Sequence, residues 1–527
     1  MAKNEKSEHI TKSAATMAPA TTRPTFVPPK AATTPPQHGG VLKLRIPDPV
    51  VDVPIGEPLN SGGADERYWV CLEGLLGPGD RLGTYKYVLA TGYKLAPDKS
   101  YYDVTLRQGV QFHDGTPFNA QAVKWNLDRV LAARVALPGV ESVDIVDDYT
   151  VRLNLSRWTN LVLADLALRS NTLMISPTAY KKNGQDWVLF HPIGTGAFIF
   201  KEIKDDKIIV TKKNPNYWGK DTRGNRLPYL DGVEMHYIPD LKVAQAALEQ
   251  GETDMSHMAD GKVAITLEGS PDYYIIPTWG GSTLAIYANS EDPKSMWYDS
   301  RMRQALEYTL DKEKVAATVS TPYRPASYHV IGGLEFTPQD VVPVARKYNP
   351  AKAKELKAAA GYPGDVTFDW YVGALFMPEL GDVIRSYQQQ MVEAGFKANL
   401  QVLSLAKWNE LQRDPVPGNA INLGVEHQDR IQPLVPVAVC FSEASLMFKG
   451  VRKPSAFKRL FNQLLQTEDV TEQVALLKEM DRIATDEAII IPIDSGFSLS
   501  IVSQRVHDVR VDMSEGFWQV RSTWLSK

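Results

Sequence analysis

The chain has 527 residues, enough for about three domains of ordinary size and for large cores without disulfides or a structural metal. Apolar residues make up 43% of the sequence, a globular proportion that excludes disorder of the chain as a whole. Its 58 basic and 62 acidic side chains give a formal net charge of -4, which excludes a nucleic-acid binder that depends on bulk positive charge. No run of about 18 apolar residues occurs, so no transmembrane helix is predicted.

Residues 1–39 differ in composition from the rest. Alanine, threonine and proline fill 20 of the first 40 positions, and such a segment cannot bury enough apolar surface to offset its ordering entropy. We therefore expect an extended or disordered tether. An export signal is not visible, because the first 20 residues lack both the continuous apolar core of about 7–15 residues of a secretory signal and a lipoprotein cysteine.

The folded part is predicted to begin with a strand of alternating apolar residues at 41–46. Further strands are predicted at residues 101–106, 144–155 (a hairpin), 198–212 (a hairpin), 283–288 and 489–493. Helices are predicted at residues 119–131, 243–251, 299–319, 378–395, 458–465 and 471–486. Asn119 is expected to cap the first helix, and Pro492 indicates a strand end or a bulge. This mixture indicates an α/β protein with mixed β-sheets.

Sequence signatures of catalysis are absent. The chain has no GxSxG elbow, phosphate-binding loop, HExxH or EF-hand motif. Gly194-Thr195-Gly196 lacks the third glycine of a dinucleotide fingerprint and is interpreted as a turn, as is His113-Asp114-Gly115. Cys71 and Cys440 are expected to be buried free thiols, with a disulfide between them as the alternative. We predict no catalytic residue, metal or cofactor.

Four segments of the sequence, taken together, resemble a known protein family, although each segment alone is a weak match. They read LRQGVQFHDGTPF at 106–118, PIGTGAF at 192–198, NPNYWG at 214–219 and DSRMRQAL at 299–306. In order and spacing they resemble the family 5 extracellular solute-binding proteins, the dipeptide-, oligopeptide- and nickel-binding components of ABC importers. Their residues suit turns and buried aromatic rings, so we interpret them as scaffold motifs that report the fold and not the ligand.

The resemblance implies an α/β two-lobe clamshell, the type II periplasmic-binding-protein fold, with an extra subdomain. On this chain it implies a first lobe of residues 40–80, 190–283 and 492–527, an extra subdomain of residues 81–189 and a second lobe of residues 284–491. Two strands, near residues 283–289 and 491–495, would cross between the lobes as a hinge.

The implied function is that of a binding protein, not an enzyme. Such a protein captures a peptide or another small polar solute reversibly between its lobes and delivers it to ABC permease subunits. We expect a monomer in the periplasm or on the surface of a bacterial cell, without a nucleic-acid partner. There are two alternatives: a solute-sensing or chaperone-like binding protein, and a hydrolase that uses unrecognised catalytic residues. The solute stays open among peptides, sugars, opines and metal chelates.

The resemblance also implies ligand-binding residues in the second lobe. Peptide-binding relatives pair the ligand ammonium with an acidic residue that follows a Gly-Trp pair. The matching stretch here begins at Asn422, has Val425 in place of the tryptophan, and offers Asp429 as the first candidate and Glu426 as the second. A solvated loop carboxylate is the alternative for Asp429.

Aromatic and basic residues complete the implied site. Trp408 matches a tryptophan that lines the family pocket, although a core position explains it equally well. Arg413 lies near a position that some relatives use for the ligand carboxylate. The opposite wall and the hinge strands contribute four aromatic candidates, Tyr68, Trp69, Tyr287 and Phe497.

Overall fold

The computed structural model describes residues 35–47, 50, 67, 69–79, 83–257, 259–278, 282–318, 324–331, 345–412, 414–427, 434–442, 448–496, 498–512 and 517–526. Its strands, in chain order, are β1 Val41–Ile46, β2 Leu76–Pro78, β3 Tyr85–Tyr87, β4 Ala90–Leu95, β5 Tyr101–Leu106, β6 Val140–Asp147, β7 Thr150–Leu155, β8 Phe198–Lys204, β9 Ile208–Lys213, β10 Gly232–Tyr237, β11 Met255–His257, β12 Tyr273–Thr278, β13 Ser282–Ala288, β14 Val366–Gly373, β15 Phe396–Leu403, β16 Ile421–His427, β17 Ile491–Ser495, β18 Ser498–Ser503, β19 Val506–His507, β20 Arg510–Asp512, β21 Phe517–Gln519 and β22 Trp524–Leu525.

The α-helices of the same ranges are α1 Ala120–Ala133, α2 Leu161–Leu168, α3 Pro177–Asn183, α4 Gln185–Val188, α5 Leu241–Glu249, α6 Gly261–Leu267, α7 Ser300–Tyr308, α8 Lys312–Thr318, α9 Pro350–Ala359, α10 Met377–Glu393, α11 Leu405–Leu411, α12 Leu434–Phe441, α13 Ser455–Leu465 and α14 Val470–Asp486. No helix among them combines the length and apolar character needed to cross a lipid bilayer.

The largest sheet, sheet A, has seven strands in the order β12-β18-β11-β1-β10-β9-β8. Strand β1 lies at its centre and pairs in parallel with both β10 and β11, while the neighbouring pairs are antiparallel. The alternating apolar residues of β1 explain this central place, because Leu42, Leu44 and Ile46 are fully buried. Their core also contains Met235 of β10 and Val502 of β18.

Sheet B has five strands in the order β15-β14-β16-β13-β17. Strand β14 pairs in parallel with β15 and β16, whereas β13 is antiparallel to β16 and β17. One face buries a large aromatic cluster in which Trp297, Trp370 and Phe396 are fully covered. Sheet B therefore has a core of its own on that face.

The chain passes between sheets A and B at two places in the described ranges. Strand β12 of sheet A leads to β13 of sheet B, and β17 of sheet B leads to β18 of sheet A. The segments expected to cross between lobes, near residues 283–289 and 491–495, form β13 and β17 of sheet B and adjoin these two places.

A third, four-stranded antiparallel sheet, sheet C, has the order β4-β5-β7-β6 and falls within residues 90–155. Its apolar residues share one cluster with α2 and with helices α12, α13 and α14. At this contact the Asn160 amide nitrogen donates to the carbonyl oxygens of Leu464 at 2.8 Å and Thr467 at 2.9 Å. The Gln466 side chain donates to the Trp158 carbonyl at 2.7 Å.

Most predicted elements are confirmed. The helix at 119–131 is α1, and the Asn119 side chain accepts from the Ala122 N–H as its cap. Both predicted hairpins form, as β6–β7 and β8–β9. Pro492 lies in β17, the strand at one edge of sheet B. The register between β13 and β17 shifts at this point: Leu284 pairs with Asp494, whereas the next residue, Ala285, pairs with Pro492. Pro492 is thus the second residue of its strand and lies at a register shift, which agrees with the prediction of a strand end or a bulge.

The single helix predicted at residues 299–319 is wrong. The chain forms α7 and α8 instead, separated at Thr309, Leu310 and Asp311. The Thr309 hydroxyl donates to the Leu306 carbonyl, and the Asp311 carboxylate accepts from the Lys314 N–H. These local side-chain bonds end one helix and start the next. The expectation for the cysteines is confirmed, because Cys71 and Cys440 are buried thiols that are not joined in a disulfide.

Candidate functional site

A buried carboxylate joins two of the four sequence motifs. Glu73 accepts hydrogen bonds from the Thr195 hydroxyl at 2.8 Å, the Tyr217 hydroxyl at 2.8 Å and the Trp218 indole at 2.9 Å. Burial raises the pKa of the Glu73 carboxyl, while these bonds and the charge of Arg521 act in the opposite direction. The donors come from the segments 192–198 and 214–219, so these motifs hold the chain around Glu73.

The first motif also makes scaffold contacts. His113 Nε2 lies 3.0 Å from the Gly196 carbonyl oxygen, which connects the first motif with the second. The Asp114 carboxylate accepts from the Thr116 hydroxyl at 2.6 Å and from the Ser176 hydroxyl at 2.5 Å. Burial lowers the pKa of His113. The pair His113-Asp114 therefore lies in a hydrogen-bonded turn, as the sequence predicts.

Trp69 lines a small cavity of about 60 Å³ together with Glu73, Tyr217 and Arg521. The same residue packs on the core of sheet A. The structure thus places Trp69 beside the Glu73 network.

Three of the predicted ligand-binding residues form one hydrogen-bonded row on sheet B. The Trp408 indole of α11 donates to the Asn422 amide oxygen at 3.3 Å, and the Asn422 amide nitrogen donates to the Tyr287 hydroxyl at 2.7 Å. Tyr287 and Asn422 face each other because their strands, β13 and β16, pair at these two residues. All three side chains are buried. We call this set the Trp408–Asn422–Tyr287 row.

Packing fixes the row at both ends. The Phe376 ring packs edge-on against Trp408, with 5.3 Å between centroids, and the Phe448 ring does the same against Tyr287 at 4.9 Å. Gly424 makes room for this, since a Cβ there would lie 2.7 Å from Tyr287 and 2.8 Å from Phe448. Burial raises the pKa of the Tyr287 hydroxyl to about 12, so this group is protonated at neutral pH.

The other predicted residues cannot be placed in the site. Tyr68, Arg413, Asp429 and Phe497 lie outside the described residues. Glu426 belongs to β16 and pairs with Thr283 through the backbone, but its side chain is not among those described. Their contacts with a ligand stay a prediction.

Sequence reasoning missed an ion pair at the second crossing. Arg324 Nη2 donates to the Asp494 carboxylate at 2.8 Å, and the adjoining Ala326 bridges to the same residue through the backbone. A Cβ at Gly496 would lie 2.3 Å from Arg324 Nη1. Burial raises the pKa of Asp494, and the charge of Arg324 opposes this. The sequence contains one indication of this ion pair, because Asp494 directly follows the apolar run of residues 489–493.

Within the described ranges, no group of three or more His, Cys, Asp or Glu side chains is placed to hold an ion. The groups described around sheet B are instead hydrogen-bond donors, acceptors and rings, which suit recognition of a polar solute.

Comparison with known proteins identifies the family. The model of the bacterial extracellular solute-binding proteins, family 5 (middle), matches residues 84–418. A glutathione-binding protein, GsiB, from Salmonella typhi is 30% identical over 325 residues, which are 60% of this chain and 61% of that relative. The match therefore covers less than two thirds of the relative's own length.

Solved structures share the fold at low sequence identity. A dipeptide-binding protein from Pseudoalteromonas sp. SM9913 in complex with Met-Leu superposes with a TM-score of 0.79 at 17% identity, covering 93% of this chain and 100% of that one. NikA from Staphylococcus aureus in complex with Ni(L-His)2 gives a TM-score of 0.74 at 18% identity, covering 92% and 100%. The chain therefore has the type II periplasmic-binding-protein fold, as expected from its sequence.

Proposed function

Because this chain belongs to the family 5 bacterial extracellular solute-binding proteins, we propose that it is the substrate-binding component of an ABC importer. It captures a peptide or another small polar solute between two lobes and releases it unchanged. The observation that carries the proposal is the architecture: mixed sheets A and B are joined by the crossings β12–β13 and β17–β18. A hinge of this kind lets two bodies close on a ligand.

We propose for the lobes the limits that the resemblance implies. The first lobe comprises residues 40–80, 190–283 and 492–527, the extra subdomain residues 81–189, and the second lobe residues 284–491. The ligand touches both lobes only in the closed form, so it stabilises that form by its differential affinity.

The proposed extra subdomain contacts the proposed second lobe next to α13. Asn160 of the extra subdomain donates to the Leu464 and Thr467 carbonyls of the second lobe, and Lys99 of the subdomain pairs with Glu468. The subdomain is tied to the first lobe by its covalent connections and by the bridge between Glu73 and Met174.

The solute is a small peptide or a similarly polar molecule. Relatives are named for glutathione, a tripeptide, or contain a dipeptide, Met-Leu. The ligand contacts the Trp408–Asn422–Tyr287 row, and Asp429, Glu426 and Arg413 supply charges for its ammonium and carboxylate groups. Tyr68, Trp69 and Phe497 enclose it. Its protein partners are permease subunits in a bacterial membrane, and the chain acts as a monomer in the periplasm or at the cell surface, without catalysis.

A ligand screen tests this function. Thermal unfolding is followed with Met-Leu, reduced glutathione, longer peptides, sugars, opines and nickel–histidine. A bound solute at 100 times its dissociation constant is expected to add about 2.7 kcal/mol to the free energy of unfolding. Mass spectrometry of the solute after release should return its starting mass. A chemically altered solute would support the hydrolase, and no shift with any solute would contradict the proposal.

A further inference from the structure

The direction of the hydrogen bonds in the Trp408–Asn422–Tyr287 row is fixed by chemistry. An indole N–H is a donor only, so Trp408 must face the oxygen of the Asn422 amide. The amide nitrogen of Asn422 then faces Tyr287, and since that nitrogen is also only a donor, the Tyr287 hydroxyl must accept. Donation therefore runs from Trp408 through Asn422 to Tyr287.

This direction leaves the proton of the Tyr287 hydroxyl to be donated outside the row. Within the described part of the chain, the hydrogen-bond partner of this hydroxyl is Asn422. Because Asn422 donates to the hydroxyl oxygen, the hydroxyl proton is not used in this bond. The side chain is 4% exposed, so water has little access to it. A buried donor without an acceptor destabilises the protein, and a suitable ligand atom would remove that cost.

The Tyr287 ring is held in place by its neighbours, at the sixth residue of β13. Strand β13 follows directly on the first crossing between sheets A and B. The edge-on Phe448 ring and the missing side chain of Gly424 fix the tyrosine ring. A donor held in this way is already oriented before the ligand arrives, which reduces the entropy cost of binding.

We propose that Tyr287 donates its hydroxyl proton to an acceptor oxygen of the bound solute. The site thereby selects solutes that present a carbonyl or carboxylate oxygen at this position and rejects those that present an N–H donor. Asn422 and Trp408 are positioning residues, because they set the direction in which Tyr287 donates. The inference rests on the proposed binding function.

Two near-isosteric substitutions test the direction of donation. Tyr287→Phe removes the donor. Asn422→Asp replaces the amide by a carboxylate that only accepts, so it still receives the Trp408 N–H but draws the Tyr287 proton away from the ligand. Each variant is expected to weaken binding about 10- to 100-fold, and the double variant no further.

Asn422→Leu separates this effect from simple disruption of the row. Leucine cannot accept the Tyr287 proton, so this variant should bind the solute more tightly than Asn422→Asp despite losing the same amide. The half-exposed Tyr298 serves as a matched control, and Tyr298→Phe should bind like the wild type. Thermal unfolding of each variant reports whether it is folded at the temperature of the titration.

The probe is whichever solute of the screen above gives the largest thermal shift with the wild-type protein, and affinities are measured by titration calorimetry. Comparable losses for Tyr287→Phe and Asn422→Asp, with Asn422→Leu less affected, support the inference. Wild-type affinity in Tyr287→Phe, or equal losses in Asn422→Asp and Asn422→Leu, would overturn it while leaving the binding function intact. If the wild type binds none of the probes, the binding function itself fails.

Discussion

Replacing Glu73 by alanine is expected to lower the free energy of unfolding by about 3–5 kcal/mol. The substitution removes the acceptor for Thr195, Tyr217 and Trp218, of which Thr195 and Tyr217 are buried, and a buried donor that loses its acceptor is destabilising. Chemical denaturation at neutral pH measures the loss. The expected effect is large because segments far apart in the sequence meet at this one carboxylate.

Glu202 provides the matched control for this prediction. It is a glutamate of sheet A whose side chain is 49% exposed, so Glu202→Ala should change stability by no more than about 0.5 kcal/mol. The Glu73→Ala variant should bind its solute normally at a temperature at which it is folded, since we interpret the motifs around Glu73 as scaffold. A stable Glu73→Ala variant that cannot bind would contradict that interpretation.

The protein is expected to lose stability in acid because of His257. Burial, and next the charge of Arg45, lower the pKa of this imidazole from 6.5 to about 3. Between these values the unfolded chain binds a proton that the folded chain does not. The stabilisation is therefore complete above pH 6.5 and is lost as the pH falls, by about 1.4 kcal/mol for each pH unit.

Two variants isolate the contribution of His257. His257→Asn removes the titrating group and should flatten the dependence of the unfolding free energy on pH between 6.5 and 3. Ser500→Ala removes the hydroxyl that lies 3.2 Å from His257 Nδ1 but keeps the imidazole, so its pH dependence should match that of the wild type. An unchanged slope in His257→Asn would assign the acid sensitivity to other groups.

Local sequence patterns were sufficient to predict those strands and helices that are determined by their own apolar periodicity and capping residues. The alternation in residues 41–46 gives β1, and Asn119 caps α1. The helix at 299–319 failed because apolar periodicity continues through Leu310, whereas the local hydrogen bonds of Thr309 and Asp311 end the helix. Periodicity does not report such competition between side chain and backbone.

Contacts between distant segments could not be read from the sequence. Tyr287, Trp408 and Asn422 were each named from a resemblance, but their common row depends on the register between β13 and β16 and on the position of α11. The ion pair of Arg324 with Asp494 joins residues 170 positions apart, and no local pattern relates them. Strand register and loop placement are properties of the whole fold.

The most direct test of the account is the distance between the lobes with and without solute. Fluorescent labels are attached to Lys201→Cys on β8 and Val392→Cys on α10, both exposed positions, while the native cysteines Cys71 and Cys440 are buried. Single-molecule energy transfer should show an open and a closed population, and saturation with the solute found in the screen should shift molecules to the closed one. A single inter-lobe distance that saturating solute leaves unchanged would contradict the account.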